Sequence, residues 1–376
     1  MRICRKITAA VAALACLAGW GLSVGAVPSP DQQVKGPVVQ NVQTDRATIT
    51  WVTYQKSGDL RQLPEGMPSA VQEPIYHRMD LAGLTPGTHY KFSLSAFGLD
   101  AEVNFATAPK DATEFSFVVW GDTRTRHDVH SRVAARVLRE SPSFVLHTGD
   151  LVANGQNMND WDKFFEIEKD ILRNVPFYPV LGNHERNTPL FSRFFAFPGG
   201  GDGHYYSFDW GDAHIVGLDD NQSAPTEGMG AIFLKYELDW LREDLAKNTK
   251  PFAFVFFHQP LYTAVKGRRE SAAKLAEKIE PILLSGGVAA TFAGHDHNYQ
   301  HHLKSGLHHI VTGGGGAPLY EVDPIPGITL KAVEIENYVR VRVTGNRAHI
   351  EALDIGGNKL DEFELEPRAK GSTAGQ

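Results

Sequence analysis

Cysteine is nearly missing from this chain of 376 residues: there are two, Cys4 and Cys16, both close to the amino terminus. A chain processed beyond them has none, so no intrachain disulfide can staple it and its stability must come from a large core or a bound metal. Basic charge is also short, 37 Lys and Arg against 44 Asp and Glu for a net charge of -7. That argues against a nucleic-acid partner, which needs a basic face to neutralise phosphates. Apolar residues at 42% and charged residues at 22% exclude both a largely disordered chain and a multi-span membrane protein. No internal repeat is evident, and the length fits two domains at roughly 100–200 residues each.

The amino terminus reads as an export signal, residues 1–26. Arg2, Arg5 and Lys6 precede an apolar run over 7–27, and Val24-Gly25-Ala26 offers small residues for cleavage just before Pro28 and Pro30. An uncleaved anchor is the alternative, since the run is nearly long enough to span a bilayer; Gly19, Gly21, Gly25 and the Pro-rich exit favour cleavage. A lipoprotein signal ending at Cys16 fits less well, with Ala13 where a larger aliphatic residue is usual. Cleavage takes the charge from -7 to -10. The processed protein is expected to be secreted or periplasmic, with no membrane association.

Residues 27–110 alternate apolar and polar side chains, as in 47–53, 90–94 and 103–106, and predict a β-sandwich. Trp51 on an early strand, and Tyr90 placed to bond back to the turn at 84–88, give the segment a fibronectin type III-like pattern. Residues 55–74 read as a long loop. From 111 the pattern changes to strands at 115–120, 144–146, 177–180, 205–208, 214–218, 252–257, 289–292 and 308–311. Helices are predicted at 129–139, 160–172, 232–247 and 271–284, the last broken near Pro281. This predicts an α/β layered domain over 111–368, a β-sandwich core flanked by helices and closed by strands within 332–365. Residues 369–376 read as a disordered tail.

Five short segments each follow a predicted strand: Gly121-Asp122, Gly149-Asp150, Gly182-Asn183-His184-Glu185, His258, and Gly294-His295-Asp296-His297. Sites in α/β sheets assemble at the carboxyl ends of strands. A Gly-Asp after a strand is usually only a turn, and a lone His is usually a packed core residue. The ordered set of five is different: carboxylate, amide and imidazole donors converge, a combination suited to zinc, iron or manganese.

In this order the segments resemble the calcineurin-like metallophosphoesterases. With the amino-terminal sandwich, Gly294-His295-Asp296-His297-Asn298-Tyr299 and Gly313-Gly314-Gly315-Gly316, they resemble the purple acid phosphatase branch. The resemblance implies an enzyme with two metal ions, Fe, Zn or Mn. Asp150 would bridge them, Asn183, His258 and His295 would complete one site, and Asp122 and His297 the other. His184 would donate to the ester, with Glu185 tuning it. The implied reaction is hydrolysis of a small phosphate monoester; a phosphodiesterase or nucleotidase on the same scaffold is the alternative, and a non-catalytic metal-binding surface protein ranks below both.

Two positions depart from the family. Purple enzymes place a tyrosine where this chain has Ala153, and other members place a histidine where it has Arg124. One metal site therefore lacks its fourth protein ligand, and water is a better candidate for that place than His127 or His130. Arg124 is expected either to clamp the substrate phosphate or to turn away and pair with Asp128. Among the remaining residues, His147, His214, His308 and His309 are expected to pack. His204, Tyr205, His301 and His302 could line the pocket, and Lys266, Arg268 and Arg269 should form a solvated loop.

Overall fold

The computed structural model describes residues 5–6, 32–55, 74–96, 99–223 and 229–367. The export signal apart from residues 5–6, its cleavage point, most of the 55–74 loop and the 369–376 tail lie outside the described residues. No helix among the described residues is long and apolar enough to cross a membrane.

The amino-terminal region is all β. Strands β2 (Gln32–Gln40), β3 (Arg46–Gln55) and β4 (Ile75–Ala82) form one antiparallel sheet. The hairpin β5 (His89–Ala96) and β6 (Leu99–Ala106) forms the other, with β1 (Arg5–Lys6) parallel to β5. Tyr90 accepts the Thr85 amide proton on its hydroxyl at 2.7 Å, the corner bond expected from the sequence. Strand β3 is buried on both faces from Ala47 to Thr53, because alternate side chains serve two cores. Ile49 and Trp51 lie on one face; Thr50, on the other, donates its hydroxyl to the Phe194 carbonyl in the next domain at 2.8 Å. Gln40 accepts from the Ala196 amide at 2.7 Å and donates to the Phe194 carbonyl at 3.2 Å. One apolar cluster runs without a break from Val38, Ile49 and Trp51 through Phe165 and Phe194 to Phe117 and Trp120.

The second region begins with β7 (Glu114–Trp120), α1 (His127–Arg139), β8 (Phe144–His147), α2 (Met158–Leu172), β9 (Phe177–Pro179) and α3 (Pro189–Phe194). It continues with β10 (Tyr206–Trp210), β11 (Ala213–Gly217), α4 (Met229–Lys247), β12 (Phe252–Phe256), α5 (Arg269–Ser285) and β13 (Ala290–Ala293). It ends with β14 (Tyr299–Lys304), β15 (Leu307–Thr312), β16 (Thr329–Val333), β17 (Asn337–Thr344), β18 (Arg347–Asp354) and β19 (Lys359–Leu365). Two sheets result, ordered β19-β18-β17-β7-β8-β9 and β10-β11-β12-β13-β15-β14-β16. They face each other through aromatic side chains: the Phe117 ring meets Phe254 edge-on at 5.5 Å and Phe292 at 6.1 Å. Such pairs add to the burial term because ring edges and faces carry opposite partial charge.

Helices cover the outer faces. The buried side of α1 carries Val129, Val133 and Val137, spaced four apart so that they share one helix face. Leu241 and Leu245 of α4 pack with Leu275, Ile279 and Leu283 of α5 against Val255 and Phe257. The break expected at Pro281 is absent: α5 runs through it to Ser285, one turn further on, so a single missing amide proton costs the helix little of its length. The α/β layered fold with a β-sandwich core and flanking helices is the one the sequence predicts. The closing strands β17–β19 extend the first sheet through β17, which pairs antiparallel with β7.

His214 does not simply pack. The β10–β11 hairpin sets it opposite Asp209. Its Nδ1 lies 2.7 Å from Asp209 and its Nε2 2.7 Å from Asp244. Burial alone would lower its pKa, but the two carboxylates outweigh burial and push it up to about 9. The folded value lies above the unfolded one, so the stabilisation is full below about pH 6.5 and is lost as pH rises through about 9. In urea melts, the deficit of His214→Asn relative to wild type should therefore shrink between pH 6 and pH 10, by on the order of 3 kcal/mol. A deficit independent of pH would show that the ring is held as a neutral group.

Candidate metal centre

Strands β7, β8 and β9 are parallel in one sheet, and β12 and β13 are parallel in the other. Their carboxyl ends deliver all five sequence segments to one place. The backbone turns there are tight enough to leave Asp122, Asp150 and His295 in the left-handed region, with φ of 58°, 54° and 65°. That conformation is uncommon for residues with a side chain and costs on the order of 1 kcal/mol or more each. Two glycines make the approach possible. Gly149 has φ 88°, and a Cβ there would lie 2.7 Å from the Gly182 nitrogen. At Gly294 a Cβ would lie 2.4 Å from Asp122 Oδ2.

Asp122 Oδ2 accepts the His295 amide proton at 2.8 Å, and Asp150 Oδ1 accepts that of His184 at 2.9 Å. His258 donates Nδ1–H to the Thr148 carbonyl at 2.9 Å, which leaves the Nε2 lone pair facing inward. That Nε2 lies 3.0 Å from Asn183 Oδ1, 3.1 Å from His295 Nδ1 and 3.4 Å from Asp150 Oδ1. His297 donates Nδ1–H to the Pro318 carbonyl at 2.6 Å, so its Nε2 lone pair is turned to Asp122 Oδ1, 3.4 Å away. The structure thus brings together all six expected ligands, Asp122, Asp150, Asn183, His258, His295 and His297.

The donor set fits a cation. Asp122 Oδ1 is fully buried and accepts no hydrogen bond. Donor atoms of Asp122, Asp150 and His297 lie within 4.8 Å of one another. Burial would raise the Asp122 pKa, but the facing imidazoles of His297, His258 and His295 bring it down to about 2. Burial would lower that of His258, yet Asp150 and Asp122 lift it to about 9. Both directions describe a pocket that favours positive charge at its centre. Zinc, iron or manganese accepts this mixture of carboxylate, amide and imidazole.

Around the six residues, the structure modifies the expectations. His184 lies at the rim: Nδ1–H donates to the Ala153 carbonyl at 2.7 Å and Nε2 is 3.8 Å from Asp150 Oδ2. Glu185, expected to tune His184, is instead turned beneath the site. Its carboxylate accepts from the amides of Gly182 at 2.7 Å, Asp150 at 2.9 Å and Val152 at 3.3 Å. Burial, with the Asp150 charge, pushes its pKa up to about 8. Glu185 therefore positions the loops that carry the ligands. Arg124 turns inward and not to Asp128, whose partner is Arg132 at 3.7 Å.

Arg268 is the residue that sequence reasoning missed, having been placed in a solvated loop. It donates to the His295 carbonyl at 2.5 Å and to Asp296 Oδ1 at 2.7 Å, and its cation lies 4.7 Å from the centre of the Tyr320 ring. Tyr320 in turn stacks on His297 at 4.1 Å. No local motif marks Arg268, because all its partners come from distant segments. The other histidines lie apart from the centre. His130 pairs with Glu168 at 2.7 Å, and His301 lies 2.8 Å from Asp361 while stacking on Phe363. His302 is bonded to Thr329, and His204 to Asp219 at 2.5 Å. His147 packs edge-on against Trp120, and His309 bonds Thr291.

Residues 115–299, the stretch that supplies every one of these ligands, match the calcineurin-like phosphoesterase family. The chain carries a calcineurin-like metallophosphoesterase domain. Beyond this domain the similarity extends over most of the chain. It is 25% identical to human acid phosphatase type 7 over 389 aligned positions, covering 84% of this chain and 86% of the relative. The mouse acid phosphatase type 7 is 27% identical, with 67% of each chain covered. The purple acid phosphatase PPD1 of yellow lupin superposes with a TM-score of 0.70 at 18% identity, over 88% of this chain and 74% of that one. That likeness shows the shared fold, an amino-terminal β region followed by the metallophosphoesterase domain.

The crowding at Gly294 yields a test of how the phosphoesterase domain holds its donors. Gly294→Ala should displace the Asp122 carboxylate while leaving the circular dichroism spectrum intact. Affinity for manganese, measured by titration calorimetry, should fall about 10- to 100-fold, the range typical of a disturbed supporting shell. Unaltered affinity would show that the Asp122 carboxylate, which accepts the His295 amide proton, does not hold the donor loop in place.

Proposed function

We propose that the protein is an exported, metal-dependent phosphatase that hydrolyses small phosphate monoesters. The observation that carries this reading is the convergence of six donor residues on one point, with Asp122, Asp150, His258 and His297 buried, Asn183 and His295 nearer the surface, and half-buried His184 at the rim. Asp150, Asn183, His258 and His295 would hold an ion, and Asp122 and His297 extend the donor set across Asp150, where the family places a second. When bound, such ions supply a Lewis acid and lower the pKa of water, which suits attack on a phosphate ester. Acid phosphatases among the relatives support the monoester reading. The secreted or periplasmic location rests on the amino-terminal sequence, and the β region of 27–110 is read as a fibronectin type III-like module.

The chain's own groups have separable tasks. The Ala153 carbonyl fixes the His184 ring by accepting its Nδ1–H, so Nε2 is the nitrogen that meets substrate. A proton held at Nε2 can pass to the leaving alcohol oxygen as its bond to phosphorus breaks. Guanidinium N–H groups of Arg124 can bond phosphate oxygens, whose charge is what a phosphoryl transition state needs neutralised. Glu185 keeps the loops at Asp150 and Gly182 in register by binding their amides.

Asp150→Ala should empty the site of metal, as read by elemental analysis, and abolish hydrolysis. His184→Ala should retain the metal and lower kcat by about 10²- to 10⁴-fold, the usual worth of a general acid. If both variants lose metal equally, the division between ligand and proton donor is wrong. A panel of phosphate monoesters and diesters separates the monoesterase from a phosphodiesterase or nucleotidase.

Chelation of the metal should remove activity, and reloading should restore it. Because position 153 is alanine and not tyrosine, the iron-loaded protein should show no intense visible band. Strong colour would mean that another phenolate reaches the metal, and full activity in metal-free protein would overturn the metal-dependent reading.

A further inference from the structure

The donor set is unequal on the two sides of Asp150. On one side Asn183 Oδ1, His258 Nε2 and His295 Nδ1 join Asp150, a complete set of four. On the other side, among the described residues, Asp150 is joined by Asp122 and His297. Position 153 contributes a methyl group. Position 124 contributes a guanidinium, and it is turned into the place a fourth ligand would hold.

Arg124 is 14% exposed; its Nε lies 3.2 Å from Asp150 Oδ2 and its Nη2 3.3 Å from His297 Nε2. These are two of the three donor residues on this side. The His297 Nδ1 proton is committed to the Pro318 carbonyl, so Nε2 has one lone pair and Arg124 occupies it. A lone pair that accepts an N–H cannot at the same time ligate an ion. The guanidinium itself offers N–H donors and no lone pair.

We infer that Arg124 is the fixed cation of the Asp122 side, and that the chain holds a single metal ion, on the side of Asn183, His258 and His295. The inference rests on the proposed metal-dependent reading and changes its stoichiometry. Charge supports it. Asp122 and Asp150 are the only carboxylates in the donor set, so one divalent ion and one guanidinium already exceed their charge. A second divalent ion would be placed beside the half-buried guanidinium with no further carboxylate in the donor set to offset it.

The arrangement also gives Arg124 a task toward substrate. Two of its five N–H groups serve Asp150 and His297, and the others remain for phosphate oxygens. It borders a cavity of about 240 Å³ together with His127, Leu151, Val152, Ala153 and Phe164, so a ligand can reach it from that side. The ester would be gripped between one ion and one guanidinium.

The test is metal stoichiometry and spectroscopy, not activity. Wild-type protein loaded with manganese(II) and desalted should contain a single ion per chain by elemental analysis, with the electron paramagnetic resonance spectrum of an isolated ion. Arg124→His supplies an imidazole lone pair and removes the charge; it should take up a second ion and show a spin-coupled pair. Arg124→Gln removes the charge without an imidazole and should bind a second ion more weakly than Arg124→His. Two coupled ions in the wild type would overturn the inference while leaving metal dependence intact. A single ion in both variants would equally overturn it, since Arg124 would not be what excludes the second. No ion in the wild type, with manganese, zinc or iron, would overturn the metal-dependent reading and this inference together.

Discussion

Two carboxylates, Asp122 and Asp150, are buried at the same point between the two sheets, and the rest of the site answers that charge. Removing ionised carboxylates from water is costly unless they are paired or bind cations. The Arg124 guanidinium beside Asp150 and the backbone amides of His184 and His295 deliver positive charge or N–H groups to these oxygens. Glu185, lying just beneath, is pushed toward its neutral form by burial and by Asp150, so it adds less negative charge than its composition suggests. The left-handed turns at Asp122, Asp150 and His295 are the conformational cost of bringing these groups to one point.

The rigidity that this demands comes from the layers. Phe117 lies between the sheets, immediately ahead of the strand end that carries Asp122, and meets Phe254 and Phe292, which precede His258 and His295 in their own strands. A change of volume at this aromatic contact would move three ligand-bearing loops at once, because close-packed interiors transmit displacement. The outer support is of the same kind: Tyr320 stacked on His297, with Arg268 bonded to the His295 carbonyl, links two ligands through groups that touch neither Asp122 nor Asp150.

Much of this was legible in the sequence because strand, glycine and ligand are consecutive there. Gly121-Asp122, Gly149-Asp150 and Gly294-His295 each follow an apolar run, and local steric rules then fix where the donor goes. The tyrosine corner at Tyr90 was legible for the same reason, its bond spanning only five residues. What escaped depends on partners far apart in the chain. Arg268 reads as a charged residue before a helix until the fold brings His295 and Tyr320 to it. The inward turn of Glu185 serves amides around position 150, and nothing adjacent to Glu185 announces them. His214 lies between: its partner Asp209 is only five residues away, but the pairing follows from the exact hairpin register, which the alternation of apolar residues does not set by itself.

The strand that bears Asp122 is flanked by neighbours from opposite ends of the second region. β7 pairs in parallel with β8, which follows it closely, and in antiparallel with β17, which begins at Asn337. During synthesis, β7 through β15 emerge while one edge of β7 still lacks its partner. Such an unpaired, apolar strand edge is open to other chains. The Asp122 loop therefore reaches its final support only when the last strands have been made, and completion of that side of the centre belongs to the end of folding rather than its beginning. Long-range pairing of this kind slows folding, since the connecting chain must close a large loop before the contact rewards it.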